Sequence, residues 1–117
     1  MSSFRDLSVY QKTRLLNRDV FKQIQVSQFD RNIRDQLSRA STSILLNIAE
    51  GSGRFSKKDK RHFFIIARSS AMECMAIFDV IEDLEWLTFQ EAEIFRERFV
   101  EVTKMLFGII RNLSESG

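Results

Sequence analysis

No proline interrupts this chain of 117 residues, and it holds only four glycines. A sheet protein of this size needs many tight turns, and those turns draw on Gly and Pro. Their scarcity instead points to a few long helices joined by short connections. Hydrophobic residues make up 44% of the chain and charged residues 29%, enough apolar surface for one helical core at a length typical of a single domain. The expectation is one domain over residues 1–117.

Four amphipathic segments carry apolar residues at helical spacing. The first runs from about Leu7 to Gln25, with Val9, Thr13, Leu16, Val20 and Ile24 on one stripe and Ser8 as its N-cap. The second runs from about Asp30 to Glu50, with Ile33, Leu37, Ala40, Ile44 and Ile48 sharing a face. Asp30 suits its N-cap, and Gly51 suits the left-handed residue that closes a helix. The third runs from about Lys57 to Leu84, opened by Ser56 and Asp59 at capping-box spacing. Its stripe is Phe63, Ile66, Ala67, Ser70, Cys74, Ile77, Ile81 and Leu84. The fourth runs from about Phe89 to Leu113, opened by Thr88 and Glu91, with Phe95, Phe99, Val102, Leu106, Ile109 and Leu113 inward. Connections at Val26–Phe29, Ser52–Phe55 and Glu85–Leu87 are short enough to force neighbours antiparallel. The fold class is therefore all-α, an antiparallel up-down-up-down four-helix bundle. A disordered tail is expected only at Ser114–Gly117.

These stripes leave apolar residues over. Phe64, Ile65, Met72 and Met75 fall off the third, Ile94, Val100, Met105 and Phe107 off the fourth, and Leu46 off the second. Burying one such side chain gains roughly 1.5–3 kcal/mol, so this surplus predicts a homo-oligomer, with wide stripes inside a monomer as the alternative.

Charge is unevenly spread. Residues 1–72 carry 14 basic and 6 acidic side chains, a surplus of +8, whereas residues 73–117 carry 4 and 10, a deficit of −6. The basic half is densest in Arg54-Phe55-Ser56-Lys57-Lys58-Asp59-Lys60-Arg61. Free N–H groups and a positive dipole end make a helix start receptive to phosphate. Basic residues there oppose the same dipole, which suggests a use other than stability. Arg54, Lys57, Lys58, Lys60 and Arg61 are thus candidate nucleic-acid contacts, with Arg31, Arg34, Arg39 and Arg68 extending a basic track. Phe55 is the one aromatic beside the turn that could stack a base, although packing in the core or an interface is the commoner fate of such a ring. The alternative for the whole stretch is structural: a helix stop, a turn and a cap.

Several chemistries are disfavoured. Gly51-Ser52-Gly53 follows no strand and lacks Gly-Lys-Ser/Thr, so neither a dinucleotide fingerprint nor a phosphate-binding loop is present. One Cys and one His exclude a zinc site, and no metal or cofactor is expected. Cys74 reads as a small buried hydrophobe. Arg54 and His62 have seven residues between them, against four to six in helical toxin-type nucleases, so no enzyme is expected. No run reaches the roughly 18 apolar residues of a membrane span, and no signal-type segment opens the chain. The expected location is cytoplasmic, with no membrane partner.

One resemblance draws these features together. Phe4-Arg5-Asp6-Leu7, Val9-Tyr10-Gln11-Lys12, Gln36-Leu37-Ser38-Arg39-Ala40, Ser43-Ile44, Asn47-Ile48-Ala49-Glu50-Gly51-Ser52-Gly53-Arg54 and Ser56-Lys57-Lys58 resemble the four-helix-bundle family encoded in intervening sequences of bacterial large-subunit ribosomal RNA genes. The likeness covers nearly the whole chain and is strongest from Gln36 to Lys58. Tyr10 stands where many members carry Trp, and the prolines that many place before the second helix and after Ser43-Ile44 are missing. The resemblance implies an antiparallel bundle assembling as a ring-like homopentamer, with a poorly defined function and no catalytic residues. Relatives beside diversity-generating retroelements bind nucleic acid and a reverse transcriptase. Two expectations follow: an oligomer that binds RNA or an RNA–protein complex through its basic surface, or a scaffold that docks a protein such as a reverse transcriptase and has no nucleic acid of its own.

Overall fold

The computed structural model describes residues 3–115. A short 3-10 turn at Phe4–Asp6 leads into α1 (Ser8–Val26), α2 (Arg31–Ser52), α3 (Lys57–Asp83) and α4 (Phe89–Glu115). No strand occurs among the described residues. Of the tail expected to be disordered, Ser114 and Glu115 end α4, and Ser116 and Gly117 lie outside the described residues. The molecule measures 45 × 24 × 21 Å. A helix of 27 residues is roughly 40 Å long, so α3 and α4 run its full length side by side. Around the bundle α1 packs on α2, α2 on α3, α3 on α4 and α4 on α1, the closed square of an up-down-up-down arrangement.

The caps explain the boundaries. The Asp30 carboxylate accepts from the Ile33 N–H at 2.8 Å, and the Ser56 hydroxyl accepts from the Asp59 N–H at 3.0 Å. Thr88 and Glu91 form a reciprocal box at 3.2 and 2.8 Å. At α1 the expectation was off by one residue: Leu7 occupies the N-cap with no side-chain bond, and Ser8 is already helical. The C-terminal end of α3 closes differently from the others. Glu85 adopts φ 61°, the Trp86 N–H reaches the Ile81 carbonyl at 3.0 Å and the Glu85 N–H reaches Glu82 at 2.9 Å. This is a Schellman closure with a glutamate where glycine is usual.

Gly51 corrects a second expectation. It is a buried residue inside α2, and no glycine among the described residues has a positive φ. The helix runs on to Ser52 and is capped by Gly53. Gly51 is small because α3 passes close by: a Cβ there would stand 3.1 Å from the Phe63 Cβ and 3.2 Å from the Lys60 carbonyl oxygen.

The core is built around Phe78, Phe99, Leu16, Leu37, Ile44, Ile48, Ile81 and Leu106, all fully buried. Phe78 stacks on Phe95 at 4.8 Å, the two rings nearly parallel. Along α3 the expected Ala67, Ser70, Cys74, Ile77 and Ile81 are buried, but the buried arc is wider than that stripe and its ends differ. Phe64, Ala71 and Phe78 are buried, Phe63 and Ile66 are only partly buried, and Leu84 is 52% exposed. Packing against both α2 and α4 gives α3 a wide buried arc. Of the surplus residues, Phe64 joins the core, and Met75 and Met105 lie half-buried against it. Leu46, Ile65, Met72, Ile94, Val100 and Phe107 remain exposed.

Polar contacts fix the packing. Arg96, with a side chain 12% exposed, binds Glu82 and Glu93 at 2.7 Å and Asp79 at 3.2 Å, tying α4 to α3. Burial alone would lower its guanidinium pKa, but hydrogen bonds and charge from Glu93 and Glu82 outweigh that and hold it above its usual value. Between α1 and α4, Asp19 accepts from Arg98 at 2.8 Å and Lys12 pairs with Glu101 at 2.6 Å.

Candidate nucleic-acid interface

Residues 53–56 turn the chain through a half-circle and leave the basic cluster at one end of the bundle. The turn is held from both sides. The Gly53 N–H reaches the Glu50 carbonyl at 3.1 Å, the Arg54 N–H reaches the Gly51 carbonyl at 3.2 Å, and Ser56 caps α3. Phe55 projects from this rigid turn completely exposed, at 100% of its reachable surface. Core packing, the commoner fate for such a ring, is therefore ruled out within this subunit.

The neighbouring cations are not equivalent. Arg54 pairs with Glu50 at 2.8 Å and lies 4.5 Å above the Phe63 ring. Lys60 donates to the Ser52 carbonyl at 3.1 Å. It thus places a positive charge where α2 exposes its last carbonyls, and its position, unfavourable for the α3 dipole, serves the end of α2. The Arg61 Nε donates to the Ser114 hydroxyl at 2.5 Å, bridging to α4. Lys57 is exposed and has a contact of its own. Lys58 is exposed, with no hydrogen bond or ion pair among the described residues.

The remaining candidates do not form one track with these. Arg31 and Arg34 occupy the first turn of α2, and the 22 residues of that helix separate them from the turn by roughly 30 Å. Arg39 lines a shallow depression with Phe21, Ser38 and Leu46. Arg68 points the other way, to α4, with its guanidinium carbon 5.8 Å from the Phe107 ring centroid. Reading along the sequence could not find that neighbour, because it requires knowing how α3 and α4 align.

Other chemistry has little to work with. Arg54 and His62 both touch the Phe63 ring, His62 edge-on at 5.1 Å, and the Arg54 charge is taken by Glu50. Burial pushes the Cys74 thiol up to about 12, so it stays protonated at neutral pH. Among the described residues no cluster of three His, Cys, Asp or Glu could hold a metal ion, and no helix is long and apolar enough to cross a membrane. Beside the turn, a cleft of about 330 Å³ is floored by Phe4, Leu7, Phe64, Ile109 and Leu113, with Ser52 and Lys60 at its polar side.

Residues 5–108 match the family described as 23S rRNA-intervening sequence protein. The chain belongs to that family. A similar bundle is seen in a crystal structure of a protein of unknown function from the S23 ribosomal protein family of Bacteroides thetaiotaomicron. The two superpose with a TM-score of 0.83 at 24% identity, over 87% of this chain and 97% of that one. At that identity the likeness establishes the four-helix fold alone. No curated protein matches the chain. Neither family description assigns an activity.

Proposed function

We propose that this member of the intervening-sequence family is a non-enzymatic, oligomeric, cytoplasmic bundle that binds RNA, alone or within an RNA–protein complex, through its basic surface. One observation carries the reading: Phe55 stands fully exposed on a rigid turn beside Arg54, Lys57 and Lys58. An aromatic ring set among cations is what a stacked, phosphate-linked base needs. The +8 surplus of residues 1–72 supplies long-range attraction. Self-association is supported by Leu46 and Ile94, each 61% exposed, with Val100. A ring of five, the assembly the family resemblance implies, would bring several basic turns together and raise affinity by multivalency.

The structure selects the probes. Arg54 and Arg61 also stabilise the fold, so losing them mixes two effects. Phe55 is fully exposed within the subunit, and Lys58 has no hydrogen bond or ion pair among the described residues. Phe55→Ala with Lys58→Ala is expected to weaken RNA binding in a gel-shift series with the particle mass by light scattering unchanged. The larger set Arg54→Ala, Lys57→Ala, Lys58→Ala and Arg61→Ala is expected to weaken it further. Unchanged binding in both would remove the turn as the site.

A second reading, a scaffold that docks a protein such as a reverse transcriptase and carries no nucleic acid, is favoured by the same exposed apolar side chains. Copurifying RNA separates the two: the absorbance ratio of a preparation never treated with nuclease is high under the first reading and that of bare protein under the second.

A further inference from the structure

We infer that the groove between the first half of α3 and the last half of α4 is a second contact site for the same strand, with Phe107 as its stacking ring and Arg68 as its phosphate contact. The inference rests on the RNA-binding reading and deepens it. Phe107 is 52% exposed on α4. The guanidinium carbon of Arg68 lies 5.8 Å from its ring centroid and that of Arg111 lies 6.0 Å away. Lys104 stands one turn earlier on the same helix, and Arg61 reaches across the groove to Ser114.

Arg68 is the telling residue. Its Nε is buried with no hydrogen-bond partner, and no carboxylate lies within ion-pair distance among the described side chains. Elsewhere in the same interface the protein answers a guanidinium fully: Arg96 has three carboxylates. A guanidinium left half-buried without an acid calls for an anion from outside. The only acid of α3 before Glu73 is Asp59, against Lys57, Lys58, Lys60, Arg61 and Arg68, so the α3 wall of this half of the groove carries a surplus of positive charge. An exposed aromatic flanked by guanidinium groups accepts any base by stacking, whereas a duplex keeps its bases inside. The occupant is therefore a single strand. Arg68 lies eleven residues beyond Lys57 on α3, roughly 16 Å along the axis, so one strand leaving Phe55 reaches Phe107 after a few nucleotides.

The test uses the full-length protein, a fluorescent oligouridine of about 15 nucleotides and long-chain polyphosphate, which has charge but no bases. Phe107→Leu is expected to weaken oligouridine binding by about 5- to 100-fold and to leave polyphosphate binding unchanged. Arg68→Met, which keeps most of the stem's packing, is expected to weaken both and to reduce the salt slope by about 0.7. Arg68→Lys and circular dichroism check that the fold survives. If Phe107→Leu binds oligouridine like the parent while Phe55→Ala does not, the groove is refuted and the turn stands. If the parent binds no oligouridine, both fall. If Phe107→Leu changes the particle mass with oligouridine affinity intact, the groove is a contact between copies and the inference is overturned.

Discussion

One substitution, glycine to alanine, should have opposite signs at two helical positions. In a helix interior alanine is favoured over glycine by roughly 1 kcal/mol through backbone entropy. Gly108 in α4 has nothing within 4 Å of where a Cβ would stand, so Gly108→Ala keeps that gain, about 0.5–1 kcal/mol of stabilisation. Gly51 faces the Phe63 Cβ at 3.1 Å, the Lys60 carbonyl oxygen at 3.2 Å and the Phe64 Cε2 at 3.4 Å. The first two belong to or are fixed to the α3 backbone and cannot swing away, so α2 and α3 must separate by a few tenths of an ångström. Overpacking of this kind costs about 1–3 kcal/mol. The last-turn position of Gly51 also trims the propensity gain, leaving a net loss of about 1–2 kcal/mol. The two variants should therefore differ by about 1.5–3 kcal/mol, or on the order of 1 M in urea midpoint at fixed protein concentration. Because Phe63 carries Arg54, Gly51→Ala should also disturb the basic turn. A Gly51→Ala protein as stabilised as Gly108→Ala would refute the close-approach argument.

Three further outcomes can be checked. Glu85→Gly should raise the urea midpoint by the equivalent of about 0.5–1 kcal/mol, since the Schellman closure holds Glu85 at φ 61° where a Cβ is disfavoured; no gain would mean that the glutamate side chain offsets the strain. The Arg18 hydrogen bond, opposed by burial and helped by Arg98, holds the Asp19 carboxyl below its ordinary 3.8. With the folded value the lower one, this contribution is present above about pH 4 and lost as pH falls through the folded value, so Asp19→Asn should flatten the acid limb of a stability-against-pH curve, and an unchanged limb would refute the assignment. Cys74, buried and with its pKa pushed up to about 12, should resist thiol reagents at pH 8 until the protein unfolds; rapid labelling of the native protein would contradict its burial.

Much of the fold was legible because helices advertise themselves locally. Asp30, Ser56 and Thr88 with Glu91 mark starts by side-chain chemistry within four residues, and all three caps are made. What local pattern could not fix was phase and proximity. Phe63 and Phe64 are both apolar and about 100° apart on a helix, so spacing alone does not choose between them; the neighbours of α3 do. Gly51 reads the same whether it ends a helix or admits a neighbour. Leu7, with no polar side chain, gives no cap signal. At the site, the cluster Arg54–Arg61 is plain in the sequence, but which of its cations are occupied depends on Glu50, Ser52 and Ser114. The pairing of Arg68 with Phe107 spans 39 positions of the chain and exists only once α3 and α4 lie antiparallel.

The most direct test of the central claim is the affinity of the nuclease-treated protein for single-stranded RNA measured across a salt series. The account predicts tight binding at low salt and a log–log slope of about −0.7 for each phosphate contact, hence about −2 to −4 for three to six contacts. No binding at low salt, or an affinity indifferent to salt, would contradict it.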